Sequence, residues 1–254
     1  MPKTALNQYV ITDIDVCQYC SHPVRHTYCE NCGRKTKAER FTFHYILLHD
    51  FIHGVFHLDK GYFYTLKELI TRPGHSIREY VQGKNRGKHF NHFTFFIIAL
   101  SLGHFARHFA HFQVEELFST HVSREVIPQS NQLIETLGKL VAFLIVPITA
   151  LINFCMFREA KQNFTEHLIL AIYKASVSLL IIALYHVVGA ALQPYLDLRF
   201  LYIFISALQF LYEFIFCFQY FSHFNYSRKE LITRSFMASL LVMSLSVKKW
   251  VMLL

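Results

Sequence analysis

The sequence has few charged residues, which argues against an ordinary soluble domain. Asp, Glu, Lys and Arg make up 17% of the 254 residues, compared with about 25% in soluble domains. Apolar residues make up 53%, and most of them lie after position 90. No apolar run of signal-peptide length follows the first methionine, so we expect the N-terminus to stay in the cytosol. The composition predicts a membrane protein with a polar N-terminal region.

The motifs of several common enzyme classes are missing as well. The segment GKNRGK at 83–88 does not have the GxxxxGK(S/T) spacing of a phosphate-binding loop, and the chain has no HExxH metalloprotease motif. A thioredoxin-like site requires a CxxC within a βαβ pattern, which the chain does not have. The sequence therefore offers no motif for nucleotide hydrolysis, zinc proteolysis or dithiol redox chemistry.

Four of the six cysteines form two CxxC pairs: Cys17, Cys20, Cys29 and Cys32. This spacing lets both sulfurs of a pair reach one ion, so two pairs supply the four thiolates of a closed structural zinc site. Gly33 suits the left-handed residue of such a turn. Disulfides would conflict with a cytosolic location, rubredoxin-like iron binding uses a larger ribbon, and His22 and His26 are weaker competing ligands. We expect a zinc ribbon, and we expect Cys155 and Cys217 to be core residues.

Residues 41–92 predict amphipathic helices that lie at the membrane surface. Over 41–59 the apolar residues cover about half of the helical circumference, and His49, His53 and His57 gather on the other half. The pair His49 and His53 has a metal-compatible spacing, but a polar face at an anionic interface explains these histidines better.

The C-terminal half of this segment contains a helix break and a basic stretch. Pro73 and Gly74 end the helical period, and Ser76 with Glu79 matches a capping box that would begin the next helix. Each basic side chain near an anionic leaflet contributes about 1 kcal/mol of membrane affinity. We expect such an anchor from Arg78, Lys84, Arg86 and Lys88. Nucleic acid is not an expected partner, because apolar faces flank these residues.

One long stretch resembles an uncharacterised bacterial membrane-protein family. The resemblance lies in Asp59-Lys60-Gly61, Tyr64-Thr65-Leu66-Lys67-Glu68-Leu69, Arg72-Pro73-Gly74, Ile77-Arg78-Glu79-Tyr80 and Gly83-Lys84. Asn163 to Leu168 (NFTEHL) is similar to that family's second motif, whereas Asn85 and His92 depart from its pattern. The resemblance implies a cysteine ribbon followed by several spans in the bacterial inner membrane, and it implies no activity.

Five apolar segments predict transmembrane helices, since about 20 helical residues cross about 30 Å of hydrocarbon. They are 93–106 extended through His108, 137–157, 168–192, 200–221 and 235–254. The loops at 158–166 and 222–234 carry Arg and Lys, whereas 113–136 has four Glu and one Arg. This alternation places the N-terminus inside, and 113–136 and the C-terminus outside.

The fold class expected from these patterns is an all-α integral membrane protein with about five transmembrane helices. The expected domains are a zinc-ribbon head (1–40), amphipathic and basic interfacial helices (41–92) and a transmembrane helical bundle (93–254).

Two polar groups within the apolar region are candidate sites. His104, His108 and His111 share one helical face, similar to the histidine boxes of membrane di-iron hydroxylases, but no HxxHH box or adjacent carboxylate completes a site. A polar collar at the end of a span is the other interpretation. Lys174 and Glu213 lie deep in apolar runs, where each charge costs about 2.5–3.5 kcal/mol on insertion. We expect them to contact each other, as a structural pair or as an ion- or proton-handling site.

The function predicted from the sequence is a non-catalytic multispan membrane protein whose zinc ribbon forms a cytoplasmic platform. The platform would dock a protein partner and lie against the lipid bilayer. An ion- or proton-coupled transporter or channel is the first alternative, because of the intramembrane charges. A histidine-rich membrane metalloenzyme is the second.

Overall fold

The chain is mostly helical in the computed structural model, which describes residues 15–17, 22–24, 26–33, 41, 61–110 and 144–251, with side chains through 245. Two short strands come first, β1 (Asp15–Val16) and β2 (Pro23–Val24). The helices of the described residues are α1 (Gly61–Thr71), α2 (Pro73–Val81), α3 (His92–Ala110), α4 (Leu144–Met156), α5 (Phe164–Leu192), α6 (Leu198–Phe221) and α7 (Arg228–Val251). Residues 42–59 of the interfacial helix expected over 41–59 lie outside the described residues, and so does the loop 113–136.

Three of the described helices are long and apolar enough to cross a membrane: α3, α5 and α6. They correspond to the first, third and fourth predicted spans. Helix α4 is shorter, and residues 137–143 of its predicted span lie outside the described residues. Helix α7 begins at Arg228, ahead of the predicted start at 235. The count of five spans therefore stays a prediction.

The helices α3, α5, α6 and α7 pack against each other around an aromatic core. Helix α3 lies along α5, and α6 contacts both α5 and α7. The largest fully buried side chains include Phe157, Tyr173, Phe216, Tyr220 and Phe221. The rings of Phe157 and Phe221 stack with their centroids 3.7 Å apart. Aromatic pairs of this kind contribute about 0.5–1.5 kcal/mol beyond the area they bury, so this end of the bundle is closely packed.

The short helix α2 sits directly on the C-terminal turns of α6, and Gly74 permits this contact. A Cβ atom at Gly74 would lie 2.3 Å from both the Phe216 carbonyl oxygen and the Tyr220 amide nitrogen. The Gly74 amide also donates a hydrogen bond to the Gln219 side chain at 3.2 Å. The sequence predicted a turn-forming role for Gly74. In the structure, the glycine is buried in the first turn of α2 and allows two backbones to touch.

The break between α1 and α2 forms as predicted, but the expected capping box does not. Arg72 has a non-helical backbone (φ −146°, ψ 58°), and α2 begins at Pro73, because a proline with its fixed φ favours the first helical position. Ser76 and Glu79 therefore lie inside the helix instead of at its start. Glu79 pairs with Arg72, whose Nη1 lies 3.0 Å from the Glu79 carboxylate. The Nε of the same guanidinium group lies 2.6 Å from the carboxylate of Glu68 in α1.

Capping boxes occur instead at the starts of α5 and α7. The Asn163 side chain accepts a hydrogen bond from the Glu166 amide at 2.8 Å, and the Glu166 carboxylate accepts one from the Asn163 amide at 2.9 Å. Ser227 and Glu230 form the same reciprocal pair. Each arrangement satisfies amide groups that a helix start leaves unpaired. The NFTEHL motif therefore begins a long apolar helix.

We predict that Gly74→Ala destabilises the protein, because the added methyl group must separate α2 from α6. Overpacking of this kind costs about 1–3 kcal/mol of unfolding free energy, which a thermal unfolding curve in mild detergent measures as a lower midpoint. Gly103→Ala is the matched control, since the nearest atom to its Cβ would be the Leu179 oxygen at 3.7 Å. That change should be neutral or stabilise by up to about 1 kcal/mol. Equal midpoints for the two variants would contradict the proposed contact.

Candidate functional site

The cysteine knuckle is a two-stranded turn that brings three sulfurs together. Strands β1 and β2 pair antiparallel, and the Cys17 amide donates a hydrogen bond to the His22 carbonyl at 2.8 Å. At the second turn the Gly33 amide donates to the Cys29 carbonyl at 2.8 Å, and Gly33 has φ +68° as the sequence predicted. The described residues of the two turns therefore bring Cys17, Cys29 and Cys32 to one place.

The sulfur geometry of the knuckle fits a metal ion. The sulfur atoms of Cys17, Cys29 and Cys32 all lie within 4.8 Å of one another, and Cys17 Sγ is 3.7 Å from Cys32 Sγ. Zinc–sulfur bonds of about 2.3 Å at tetrahedral angles place two sulfurs about 3.8 Å apart, whereas a disulfide bond is about 2.05 Å long. The three cysteines are not disulfide-bonded. They lie close enough to bind one metal ion, and the expected fourth ligand, Cys20, lies outside the described residues.

The two nearby histidines have different surroundings. His26 Nε2 lies 3.6 Å from the Glu30 carboxylate on the surface of the knuckle, and His22 offers its backbone carbonyl to Cys17.

Of the other cysteines, Cys217 is buried as expected, whereas Cys155 is exposed on α4. The core prediction for Cys155 is therefore wrong, because this position faces the outside of the helix bundle.

The four basic residues of the expected lipid anchor divide into two kinds. Arg78 donates hydrogen bonds to the carbonyls of Gln219 and Tyr220 at 3.0 and 3.3 Å, where the end of α6 leaves its carbonyls unpaired. Arg86 donates to the Val81 carbonyl at 3.1 Å and lies over the Phe41 ring. Lys84 and Lys88 are exposed. Both arginines thus have structural roles, and the lipid anchor stays a prediction.

The turn between α2 and α3 is fastened to α2 through His89. Its Nδ1 lies 3.1 Å from the Asn85 carbonyl, which can only accept, so Nδ1 carries a proton, and in the neutral ring Nε2 accepts from the Ser76 hydroxyl at 2.7 Å. Burial lowers the pKa of His89, which favours this neutral ring, and the Asn85 carbonyl offsets some of the effect. Burial would raise the pKa of Glu79, but hydrogen bonds from Arg72 and Asn85 outweigh it and hold that pKa low. His89 therefore has a structural role, which is to join this turn to α2.

The predicted histidine face of α3 is only partly described. His104 and His108 lie one turn apart and are exposed, and His111 lies outside the described residues. Across the described ranges, the cysteine cluster is the group of His, Cys, Asp and Glu side chains that is close enough for a metal ion. The second metal site stays a prediction.

Lys174 and Glu213, which the sequence singled out in separate apolar helices, form a salt bridge in the structure. Lys174 is 1% exposed and Glu213 is 8% exposed. Lys174 Nζ also lies 3.4 Å from Cys217 Sγ, and that thiol lies 3.8 Å from Asn153 Oδ1. The pair thus belongs to a buried polar chain that links α4, α5 and α6.

A cavity of about 140 Å³ lies beside this ion pair, between α3, α4, α5, α6 and α7; we call it the chamber. Its polar lining consists of Thr149, Lys174, Ser178, Gln209 and Glu213. Tyr202, Ser206, Gln209 and Glu213 recur at the helical spacing i, i+4, i+7 and i+11, so they share one face of α6. Gln209 and Glu213 do line the chamber, and the other two residues line an adjoining cavity of about 30 Å³ that shares Gln209.

Sequence reasoning missed Cys217 and Asn153 as members of the polar chain. Cys217 lies four residues after Glu213, so the helical period places both on one face, and this spacing was a usable signal. Asn153 had no such signal, because its contact depends on how α4 packs against α6. A buried ion pair beside a cavity can hold helices together or exchange a proton or ion with water.

Comparison with known proteins identifies one family over a limited stretch of the chain. Residues 59–102 match the model of a family described as a protein of unknown function (DUF3667). The matched stretch contains α1, α2 and the first turns of α3, including Gly74 and Arg78, which contact α6. No curated protein and no solved structure matches the chain. The match agrees with the resemblance to an uncharacterised family and brings no activity with it.

We predict that single changes in the buried pair destabilise the protein more than the double change. Glu213→Gln or Lys174→Met leaves one charge buried without its partner, which costs about 3–5 kcal/mol, whereas removing both charges costs far less. Unfolding in a detergent series measures the coupling. The surface pair Arg234 and Glu159, whose side chains are 28% and 57% exposed, is the matched control, with an expected coupling of at most about 1 kcal/mol. If the losses of stability in the two single variants add up in the double variant, Lys174 and Glu213 do not stabilise each other as a pair.

We also predict that His89 makes stability fall in acid. The unfolded side chain binds a proton near its ordinary pKa of about 6.5, whereas the folded one has a lower pKa. Its contribution is therefore complete above about pH 6.5 and is lost as the pH falls below that value. His89→Gln should flatten the pH dependence of the unfolding midpoint in this window, and His104→Gln, at an exposed position, should leave it unchanged. A His89→Gln profile parallel to the wild-type profile would refute this role.

Proposed function

We propose that this protein is a non-catalytic multispan protein of the bacterial inner membrane. A cytoplasmic zinc ribbon, completed by Cys20, docks a partner protein at the membrane surface. The N-terminus is cytosolic, and five spans follow the interfacial segment. The observation that carries the proposal is the attachment of Phe41 to the bundle, because it limits how far the knuckle can move away.

Phe41 connects the polar head to the bundle. Its side chain is 1% exposed and stacks on Tyr80, with ring centroids 5.7 Å apart. Its backbone carbonyl accepts a hydrogen bond from Asn163 Nδ2 at 2.9 Å, so the cap of α5 is also bound to it. Phe41 lies eight residues after Gly33, and a fully extended chain of that length spans at most about 29 Å. The knuckle therefore stays near this end of the bundle.

Zinc is the metal that suits this knuckle. Four thiolates in a closed site are typical of structural zinc. A segment this small cannot bury a core of its own, and zinc binding supplies on the order of 10–16 kcal/mol of folding free energy in such modules. A metal in this role would stabilise a surface for binding and would not catalyse a reaction.

The knuckle also offers apolar side chains for a partner. Val16 and Tyr28 are 57% and 58% exposed and belong to the turns that carry the cysteines. Exposed aromatic residues on a rigid support are common centres of protein interfaces. Lys84 and Lys88 are exposed on the interfacial layer, where positive charge favours an anionic leaflet.

The proposal is tested by zinc analysis and photocrosslinking on the full-length protein. We expect about one zinc per chain, lost in the Cys17→Ser, Cys29→Ser double variant and kept in Cys155→Ser. A photoreactive residue at Tyr28 should give a discrete protein adduct that disappears in the double variant. Tyr195, 86% exposed between α5 and α6, is the control position and should not give that adduct. Stable disulfides without zinc, or the same adduct at both positions, would refute the platform.

A further inference from the structure

The chamber beside Lys174 and Glu213 has the size and polarity to hold water. Its volume of about 140 Å³ accommodates about four water molecules, each of which occupies about 30 Å³ in the liquid. Dry cavities are lined by apolar groups throughout, whereas this one contains an ammonium and a carboxylate group. The described contacts of Lys174 Nζ are Glu213 and Cys217, and an ammonium has three donors. The chamber therefore offers room for water beside a third ammonium donor and the carboxylate.

A series of polar side chains leads from the chamber to one end of the bundle. Gln209 and Ile182 line both the chamber and the smaller cavity, so the two adjoin. The smaller cavity also contacts His186, Tyr202 and Ser206. Tyr202 lies eleven residues before Glu213, or about 16 Å along α6. Beyond it the turn from Gln193 to Asp197 is exposed, so the series extends from the ion pair to the surface.

The opposite end of the bundle is closed by aromatic rings. Phe157, Phe216, Tyr220 and Phe221 are 0% exposed, and the rings of Tyr220 and Phe221 lie 4.8 Å apart. Protein interiors packed to this density have few voids large enough for water. Within the described residues, a polar series therefore leads from the chamber to the turn between α5 and α6, and aromatic rings fill the opposite end of the bundle.

We propose that the chamber and the smaller cavity form a water-filled half-channel through which protons reach Glu213 from the α5–α6 turn. A hydronium ion donates its proton to the carboxylate, which becomes a neutral acid, and a water molecule remains. The Lys174 ammonium then keeps its contact with Cys217 and with chamber water. The return step transfers the same proton back to water. This activity is independent of the zinc platform, because no residue of the knuckle is involved.

Among the residues that the structure describes, few ionisable groups surround Glu213. Lys174 approaches it from α5, and Tyr212 and Cys217 are its neighbours on α6. The described chamber residues from α3, α4 and α7 are Phe96, Leu100, Ile145, Thr149, Val242 and Met243, none of which titrates. Protonation of Glu213 therefore competes mainly with its ion pair to Lys174.

Thiol labelling tests the hydration of the chamber. A membrane-impermeant methanethiosulfonate is added to sealed vesicles that hold the full-length protein, and peptide mass spectrometry identifies the labelled cysteine. Gln209→Cys should react at least ten times faster than Leu208→Cys, which lies at the same depth but is 42% exposed on the outer surface of the helix. Tyr195→Cys shows which side the reagent reaches. Ser178→Cys replaces Gln209→Cys if that variant does not fold.

Proton uptake by Glu213 tests the second half of the proposal. Infrared difference spectra of the reconstituted full-length protein, recorded while the pH is lowered, should gain the C=O stretching band of a protonated carboxyl group in an apolar site. Glu213→Gln should lose this band, and Glu159→Gln, which alters a surface carboxylate, should keep it. Equal labelling of Gln209→Cys and Leu208→Cys would overturn the half-channel, because it would show that the chamber holds no water. Fast labelling without a carboxyl band that depends on Glu213 would overturn the proton route.

Discussion

The contact between α2 and the end of α6 joins the polar region of this protein to its apolar region. Gly74 lets the two backbones touch, and Arg78 binds carbonyls that α6 leaves unpaired at its C-terminus. A buried helix end requires such partners, since an unpaired carbonyl away from water costs free energy. The matched family region, 59–102, includes both residues, so the RPG and IREY motifs describe a helix-packing junction.

The same junction fixes the position of the segments that flank it. Arg72 ties α1 to α2 through Glu68 and Glu79, and His89 ties the following turn back to α2. Phe41 packs onto this layer and is bound by the cap of α5. The cysteine knuckle ends eight residues before Phe41, so it is held close to the bundle.

The buried ion pair of Lys174 and Glu213 requires partners for its two charges inside the apolar part of the protein. Two charges inside an apolar bundle are stable only when each is paired or solvated, and Lys174 and Glu213 satisfy this through one another and through the polar chain to Cys217 and Asn153. The chamber lies beside this chain of polar side chains, where a cavity remains between the helices. Aromatic rings fill one end of the bundle, whereas the smaller cavity lies toward the α5–α6 turn at the other end.

Several features of this protein are determined by its sequence alone. The helical character of α3, α5 and α6, and a length and composition sufficient to cross a membrane, follow from local apolar sequence, which requires no tertiary contact to recognise. The clustering of the cysteines follows from ligand spacing, and the Lys174–Glu213 contact follows from the cost of a lone charge in lipid. Other features depend on packing between distant segments. They are the contact of Gly74 with α6, the binding of Arg78 to the end of α6, the position of Asn153 in the polar chain, and the chamber itself. Each of them involves residues that are far apart in the chain. Local pattern carries no information on which helix faces which, so only the tertiary structure decided them.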